Sequence, residues 1–164
     1  MYAFLTKMQT PGSEISLHVS VGTQTLEVRH GSHRSGHRYP VSTSRFGLGS
    51  EPGSLRTPLG RFKIHEKVGG GAPIGTIFKS RVAVASDELH STAEDLVLTR
   101  ILWLAGLEDH NANTLERYIY LHGTNHESLI GQPASHGCVR MRNTDIVELY
   151  DQVQVGTEVH IAED

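Results

Sequence analysis

The side chains best suited to chemistry lie near the carboxyl end of the chain. Cys138 is the only cysteine and ends the tetrapeptide Ser135-His136-Gly137-Cys138, while His122 stands sixteen positions before it. A thiol attacks a carbonyl carbon as its thiolate, which is a minor species near neutral pH unless a base takes the proton. A neighbouring imidazole is such a base. The pair therefore predicts cysteine-dependent acyl transfer.

Residues beside the pair fit the remaining needs of such a site. A base needs a group that orients its ring, and the carbonyl of Gly123 is our candidate because no acidic residue is evident for this role. Gly137 lets the chain bend just before the nucleophile. We expect the amides of Gly137 and Cys138 to face the oxygen that becomes negative. Trp103 and Tyr120 are candidates for the pocket wall, although a place in the core is the simpler expectation for both.

Two other interpretations of the same residues stay open. A lone cysteine is often a buried, inert small apolar residue. Zinc ligation is a second alternative, because imidazole and thiolate are both good zinc ligands; its candidate ligands are His122, His126, His136 and Cys138. The chain has neither a His-Glu-x-x-His motif nor paired cysteines. We therefore predict no metal and no cofactor.

The pattern along the chain predicts mostly strands. Residues 15–21 alternate apolar and polar side chains and, with residues 25–28, predict a β-hairpin. A proline and glycine turn at Thr57-Pro58-Leu59-Gly60 leads into a predicted strand at 61–65.

The second half of the chain holds the elements that must position the two reactive residues. Residues 95–104 fit a buried strand or a helix, and we favour the strand. Residues 117–121 predict a strand that delivers His122 at its end. Asn143 or Thr144 caps one helix that runs to about Gln152.

These motifs occur together in the order of a known family. His122-Gly123-Thr124-Asn125 followed by Ser135-His136-Gly137-Cys138-Val139-Arg140-Met141 resembles the signature of the L,D-transpeptidase catalytic domain, also called the YkuD domain. The resemblance extends to Thr57-Pro58-Leu59-Gly60-Arg61-Phe62 and covers roughly residues 41–164, with residues 1–38 the part it covers least. It implies a mainly β fold, a β-sandwich of mixed sheets with one main helix after the cysteine.

The resemblance also implies a function and residue roles. Cys138 matches the family's nucleophile and His122 its base, whereas Ser135, His136 and Arg140 match motif positions expected to bind substrate or support the pocket. The implied reaction is attack on a peptidoglycan stem peptide with release of D-alanine, then transfer to an amine that forms a 3-3 cross-link. Water as acceptor would make an L,D-carboxypeptidase, and a non-catalytic murein-binding domain is a further alternative. Inhibition by carbapenems is also implied.

Composition limits the remaining partners. A chain of 164 residues fits one domain, which we assign to residues 1–164. The formal charge of −3 gives no broad attraction to nucleic acid, and no apolar run is long enough to span a membrane. The first residues lack the features of a secretory signal peptide. The resemblance implies the cell envelope or periplasm, while the lack of a signal leaves the cytoplasm open.

Overall fold

Strands dominate the computed structural model, which describes residues 15–31, 36–85 and 94–164. Within these ranges there are ten strands and one α-helix, so the prediction of a mainly β fold with one main helix after Cys138 is confirmed. The strands are β1 (Ile15–Ser20), β2 (Thr25–His30), β3 (Arg38–Ser42), β4 (Gly60–Val68), β5 (Ile77–Lys79), β6 (Val82–Val84), β7 (Val97–Gly106), β8 (Tyr120–Gly123), β9 (Val139–Met141) and β10 (Glu158–Ala162), and the helix is α1 (Asn143–Gln152).

The strands form one mixed sheet that closes on itself. Their order is β4-β10-β1-β2-β3-β9-β8-β7-β5-β6, and β4 also pairs with β7. The pairs β1–β10 and β8–β9 are parallel, whereas the other pairs are antiparallel. β4 pairs with β10 at one end of this order and with β7 near the other end. The sheet therefore closes into a barrel-like sandwich with its main core inside.

The core follows the two-residue period of the strands. Alternate residues such as Leu17 and Val19 on β1 or Val159 and Ile161 on β10 are buried in the main apolar cluster. Helix α1 adds Ile146 and Leu149 to this cluster and packs against β7 and β8. The helix thus braces the two strands next to the predicted reactive residues.

The helix begins where the sequence indicated, but its predicted cap is wrong. Arg142 occupies the cap position and forms no side-chain capping bond. The first helical amide, that of Asn143, instead donates to Glu127 Oε1 at 2.7 Å, and the Asn143 amide group donates to the carbonyl of Thr124. The carboxylate of Glu127, in another loop, therefore accepts the hydrogen bond of this free helical N–H. A local side chain was the predicted acceptor. Thr144 is not the cap either.

The predicted strands are found with shifted ends. The strand interpretation of residues 95–104 is confirmed by β7, and the hairpin of residues 15–28 is confirmed by β1 and β2. Strand β8 begins only at Tyr120 because Tyr118 adopts a left-handed backbone conformation with φ of 55°. Of residues 1–38, residues 1–14 and 32–35 lie outside the described ranges.

In the described part of the chain, no helix is both long enough and apolar enough to cross a membrane.

Candidate active site

The two reactive residues project from the same face of the sheet. In the parallel pair β8–β9, Leu121 lies opposite Val139 and His122 lies opposite Arg140. Leu121 and Val139 belong to the main core. Since side chains alternate between faces along a strand, His122, Arg140 and Cys138 face away from that core. The sheet thus places the sequence-predicted base on β8 and the nucleophile directly before β9, with a common orientation.

The thiol of Cys138 is held by the backbone of the residues around the start of β8. Cys138 is partly exposed. Its Sγ accepts a hydrogen bond from the amide of Tyr120 at 3.3 Å and donates to the carbonyl of Tyr118 at 3.4 Å. Burial raises the pKa of the Cys138 thiol to about 11, and the Tyr120 amide opposes this rise. At neutral pH the sulfur is therefore protonated and needs a base before it can attack.

The imidazole of His122 is buried and has a fixed orientation. Its exposed fraction is 2%, and Nδ1 lies 2.5 Å from the carbonyl oxygen of Gly123. A carbonyl only accepts, so Nδ1 carries the proton and Nε2 keeps its lone pair. Burial lowers the pKa of His122, although the bond to Gly123 and the charge of Asp95 both oppose this. The ring is thus neutral near pH 7 and able to accept a proton.

A carboxylate that the sequence did not reveal connects the motif residues. Asp95 Oδ2 accepts from Arg140 Nη2 at 2.8 Å and from His136 Nδ1 at 3.1 Å. Burial would raise the pKa of Asp95, but the bonds from Arg140 and His136 outweigh it and lower the pKa. Arg140 is only 1% exposed, so Asp95 compensates a buried positive charge next to His122.

Hydroxyl groups hold both backbone polar groups of Gly137, in the loop before the nucleophile. Ser135 Oγ donates to the carbonyl of Cys138 at 2.6 Å and accepts from the amide of Gly137 at 3.2 Å. Thr57 Oγ1 donates to the carbonyl of Gly137 at 3.0 Å. Gly137 has φ of 121°, a conformation that favours glycine. Because the Gly137 amide already has a partner, it can bind an oxyanion only if the Ser135 hydroxyl moves away.

Two kinds of surface flank the thiol. Cys138 packs on one side against a small apolar cluster that contains Tyr120, with Trp103 at its margin. A cavity of about 230 Å³ lies near the nucleophile loop, with Leu55, Arg117 and His136 in its lining. The aromatic surface thus contacts the nucleophile itself, whereas the cavity reaches the motif at His136, two residues before it.

The alternative zinc site is not assembled. Among the residues that the structure describes, no group of three or more His, Cys, Asp or Glu side chains is placed to hold a metal ion. The ring of His136 bonds to Asp95, and the ring of His122 donates to the carbonyl of Gly123. The four candidate ligands thus do not converge on one point.

Comparison with known proteins connects this geometry to one family. The family model of the L,D-transpeptidase catalytic domain, YkuD, matches residues 14–161, which extends upstream of the motifs that begin near residue 41. The probable L,D-transpeptidase YbiS of Escherichia coli K12 is 48% identical over 48 residues, 29% of this chain and 16% of that protein. The probable L,D-transpeptidase YcfS of the same organism is 46% identical over 63 residues, 35% of this chain and 20% of that protein. The matches thus cover only a small part of these relatives.

Solved structures share the fold at low sequence identity. An L,D-transpeptidase from Xylanimonas cellulosilytica has a TM-score of 0.59 and 19% identity, over 94% of this chain and 63% of that one. L,D-transpeptidase 3 from Mycobacterium tuberculosis, in complex with a faropenem-derived adduct, has a TM-score of 0.57 and 18% identity, over 91% and 60%. The complex of L,D-transpeptidase LdtMt1 with imipenem has a TM-score of 0.57 and 18% identity, over 90% of this chain and 58% of that one.

Proposed function

Because the chain belongs to the L,D-transpeptidase catalytic domain (YkuD) family, we propose that it is a cysteine acyltransferase that forms 3-3 cross-links between peptidoglycan stem peptides. The observation that carries the proposal is the placement of His122 on β8 and of Cys138 directly before β9, on one face of this parallel pair. A partly exposed thiol and a neutral, oriented imidazole on the same face of the sheet fit the needs of proton abstraction before nucleophilic attack.

The proposed reaction has two halves. Cys138 Sγ attacks the carbonyl carbon of the third residue of the donor stem, while His122 Nε2 takes the thiol proton. His122 then gives this proton to the departing D-alanine nitrogen, which leaves a thioester on the sulfur. An amine of a second stem attacks the thioester, His122 takes its proton, and the thiol is restored with that proton as the new peptide bond forms.

The surrounding groups have separate roles in this proposal. The Tyr120 amide lies 3.3 Å from the sulfur and stabilises its thiolate. The amides of Cys138 and, once Ser135 releases it, Gly137 would serve the oxyanion. Gly123 holds the His122 ring, while His136 and Arg140 shape the pocket through Asp95. No step in this proposal needs a metal or an organic cofactor.

The test is incubation of purified protein with a tetrapeptide stem and identification of products by mass. A dimeric product supports transfer to an amine, whereas a shortened tripeptide alone would identify an L,D-carboxypeptidase. Cys138→Ala should abolish both products, and His122→Ala should slow turnover by roughly 10²-fold to 10⁴-fold, the usual worth of a positioned base. Absence of both products from the wild type would leave the murein-binding alternative.

A carbapenem gives a second readout of the same sulfur. Structural neighbours of this chain are known in complex with imipenem and with a faropenem-derived adduct. We expect a carbapenem to acylate Cys138 here, seen as a mass increase of the intact protein that Cys138→Ala removes. An unchanged mass of the wild type, where a control L,D-transpeptidase reacts, would contradict the proposed nucleophile.

A further inference from the structure

An arginine occupies an unusual place at the tip of the β5–β6 hairpin. Lys79 pairs with Val82, so Ser80 and Arg81 form a two-residue turn. Both have positive φ, 46° and 66°, where such turns favour asparagine, aspartate or glycine. A side chain at these angles costs on the order of 1 kcal/mol. Turn preference therefore does not explain why an arginine stands here.

The Arg81 side chain reaches the aromatic surface beside the nucleophile. Its guanidinium carbon lies 4.3 Å from the centre of the Trp103 ring and 5.2 Å from that of Tyr118. Its Nη1 donates to the hydroxyl of Tyr120 at 2.9 Å. Tyr118 and Tyr120 are also the two residues whose backbone groups bond to the sulfur of Cys138. Tyr120 thus bonds to the cation through its side-chain hydroxyl and to the reacting sulfur through its backbone amide.

The guanidinium retains hydrogen-bonding capacity. It carries five N–H donors in a planar fork, and the contact with Tyr120 uses one nitrogen. Among the described residues no salt bridge includes Arg81, and Glu66 is the acidic group that acts on it through its charge. Arg81 is partly exposed, has free donors and is held in place by aromatic rings, and the planar fork of its guanidinium fits the two oxygens of a carboxylate.

We propose that Arg81 binds a carboxylate of the donor stem peptide and so makes this chain select donors that carry it. This inference rests on the function proposed above. Two carboxylates of a tetrapeptide stem have this chemistry: the one on the side chain of a third-position diamino acid, and the one at the carboxyl terminus. Arg81 acts as a specificity-determining residue, and it takes no part in the proton transfers of His122.

The test compares three matched tetrapeptides: one with both carboxylates free, one with the side-chain carboxylate amidated, and one with the terminal carboxylate amidated. The wild type should process the free form with a kcat/KM roughly 10-fold to 100-fold above that of one amide, the range expected for hydrogen bonds to a charged group. Which amide loses rate identifies the carboxylate. Arg81→Gln should lower the kcat/KM of the free form much more than that of the disfavoured amide, and so remove the preference. Lys79→Gln, an exposed charge change on the same hairpin, should retain the preference.

Two results would overturn the inference. One is a wild type that processes all three peptides equally well. The other is an Arg81→Gln variant that loses the same factor with every peptide, which would mean that the arginine only fixes the hairpin.

A binding arm separates this inference from the proposed reaction. Cys138→Ala, with and without Arg81→Gln, is titrated with the same peptides by calorimetry. If the wild type forms no product but Cys138→Ala binds the carboxylate form more tightly in an Arg81-dependent way, the proposed reaction fails and the recognition stands. If the peptides are neither processed nor bound selectively, both proposals fall.

Discussion

The protonation state of Cys138 gives a prediction with a calculable size. Burial raises the pKa of this thiol to about 11, so roughly one sulfur in 10⁴ is a thiolate at pH 7, against a few per cent for an ordinary cysteine. This lowers the thiolate population by roughly 300-fold. The thiolate of a thiol with a higher pKa is more nucleophilic, which raises the rate constant of the thiolate about 10-fold. Alkylation by iodoacetamide at neutral pH should therefore be roughly 30-fold slower than that of a free cysteine.

The pH profile checks the sign of this shift. Because burial disfavours the Cys138 thiolate, the alkylation rate should rise about 10-fold per pH unit. It should level off only near the pKa of this thiol in the folded protein, about 11. The assay is intact-mass labelling across this pH range, with glutathione as the reference thiol and circular dichroism to confirm that the protein stays folded. A rate that is already level at about pH 7 would show a thiolate–imidazolium pair and refute the neutral thiol.

Two further predictions concern charged groups that support the site. Asp95→Asn should lower the free energy of unfolding at pH 7 by about 1–3 kcal/mol in urea titrations, less than for a fully buried pair because the Asp95 side chain is 25% exposed. Since folding lowers the pKa of Asp95, its contribution to stability exists above about pH 4 and is lost at lower pH, where the variant and the wild type should become equally stable. Glu94→Gln is the exposed control. Equal stability of Asp95→Asn and the wild type at pH 7 would contradict the role given to Asp95. Lys67→Met should cost about 1–3 kcal/mol, because Lys67 Nζ donates at 2.7 Å to the carbonyls of Tyr150 and Val153 at the end of α1. The exposed Lys63→Met should change the urea midpoint little, and an equal loss in both variants would refute the helix-end role.

Local patterns in the sequence were enough to predict most elements of the fold. The alternation in residues 15–21 and the branched, apolar residues of 95–104 predicted β1 and β7, because period and side-chain shape act over a few positions. The start of β8 was placed too early, since nothing local reveals that Tyr118 takes a positive φ. The helix cap was also wrong, because its acceptor is Glu127, sixteen residues before the amide it binds.

The candidate site was accessible to sequence reasoning only where its residues lie in one motif. Cys138 and His122 stand in adjacent peptide patterns, so their pairing could be proposed before the fold was known. Asp95 is 41 residues from His136, and it reaches the motif through the strand order β9-β8-β7. Arg81 reaches Tyr120 in the same way, from a hairpin on the far side of β7. Contacts of this kind depend on strand order and register, which short-range patterns do not encode.

The parallel alignment of β8 with β9 has a consequence for how such sites vary between proteins. Backbone ladder bonds set where nucleophile and base stand relative to each other, while residues 124–137 form the crossover between them. Chain length in a crossover is thermodynamically cheap to change, since doubling a loop costs only about 0.6 kcal/mol. Insertions or deletions between Glu127, which caps α1, and Ser135, which holds the nucleophile loop, would leave the dyad in place. A search for distant homologues should therefore weight alignment of the two strands and tolerate gaps between Glu127 and Ser135.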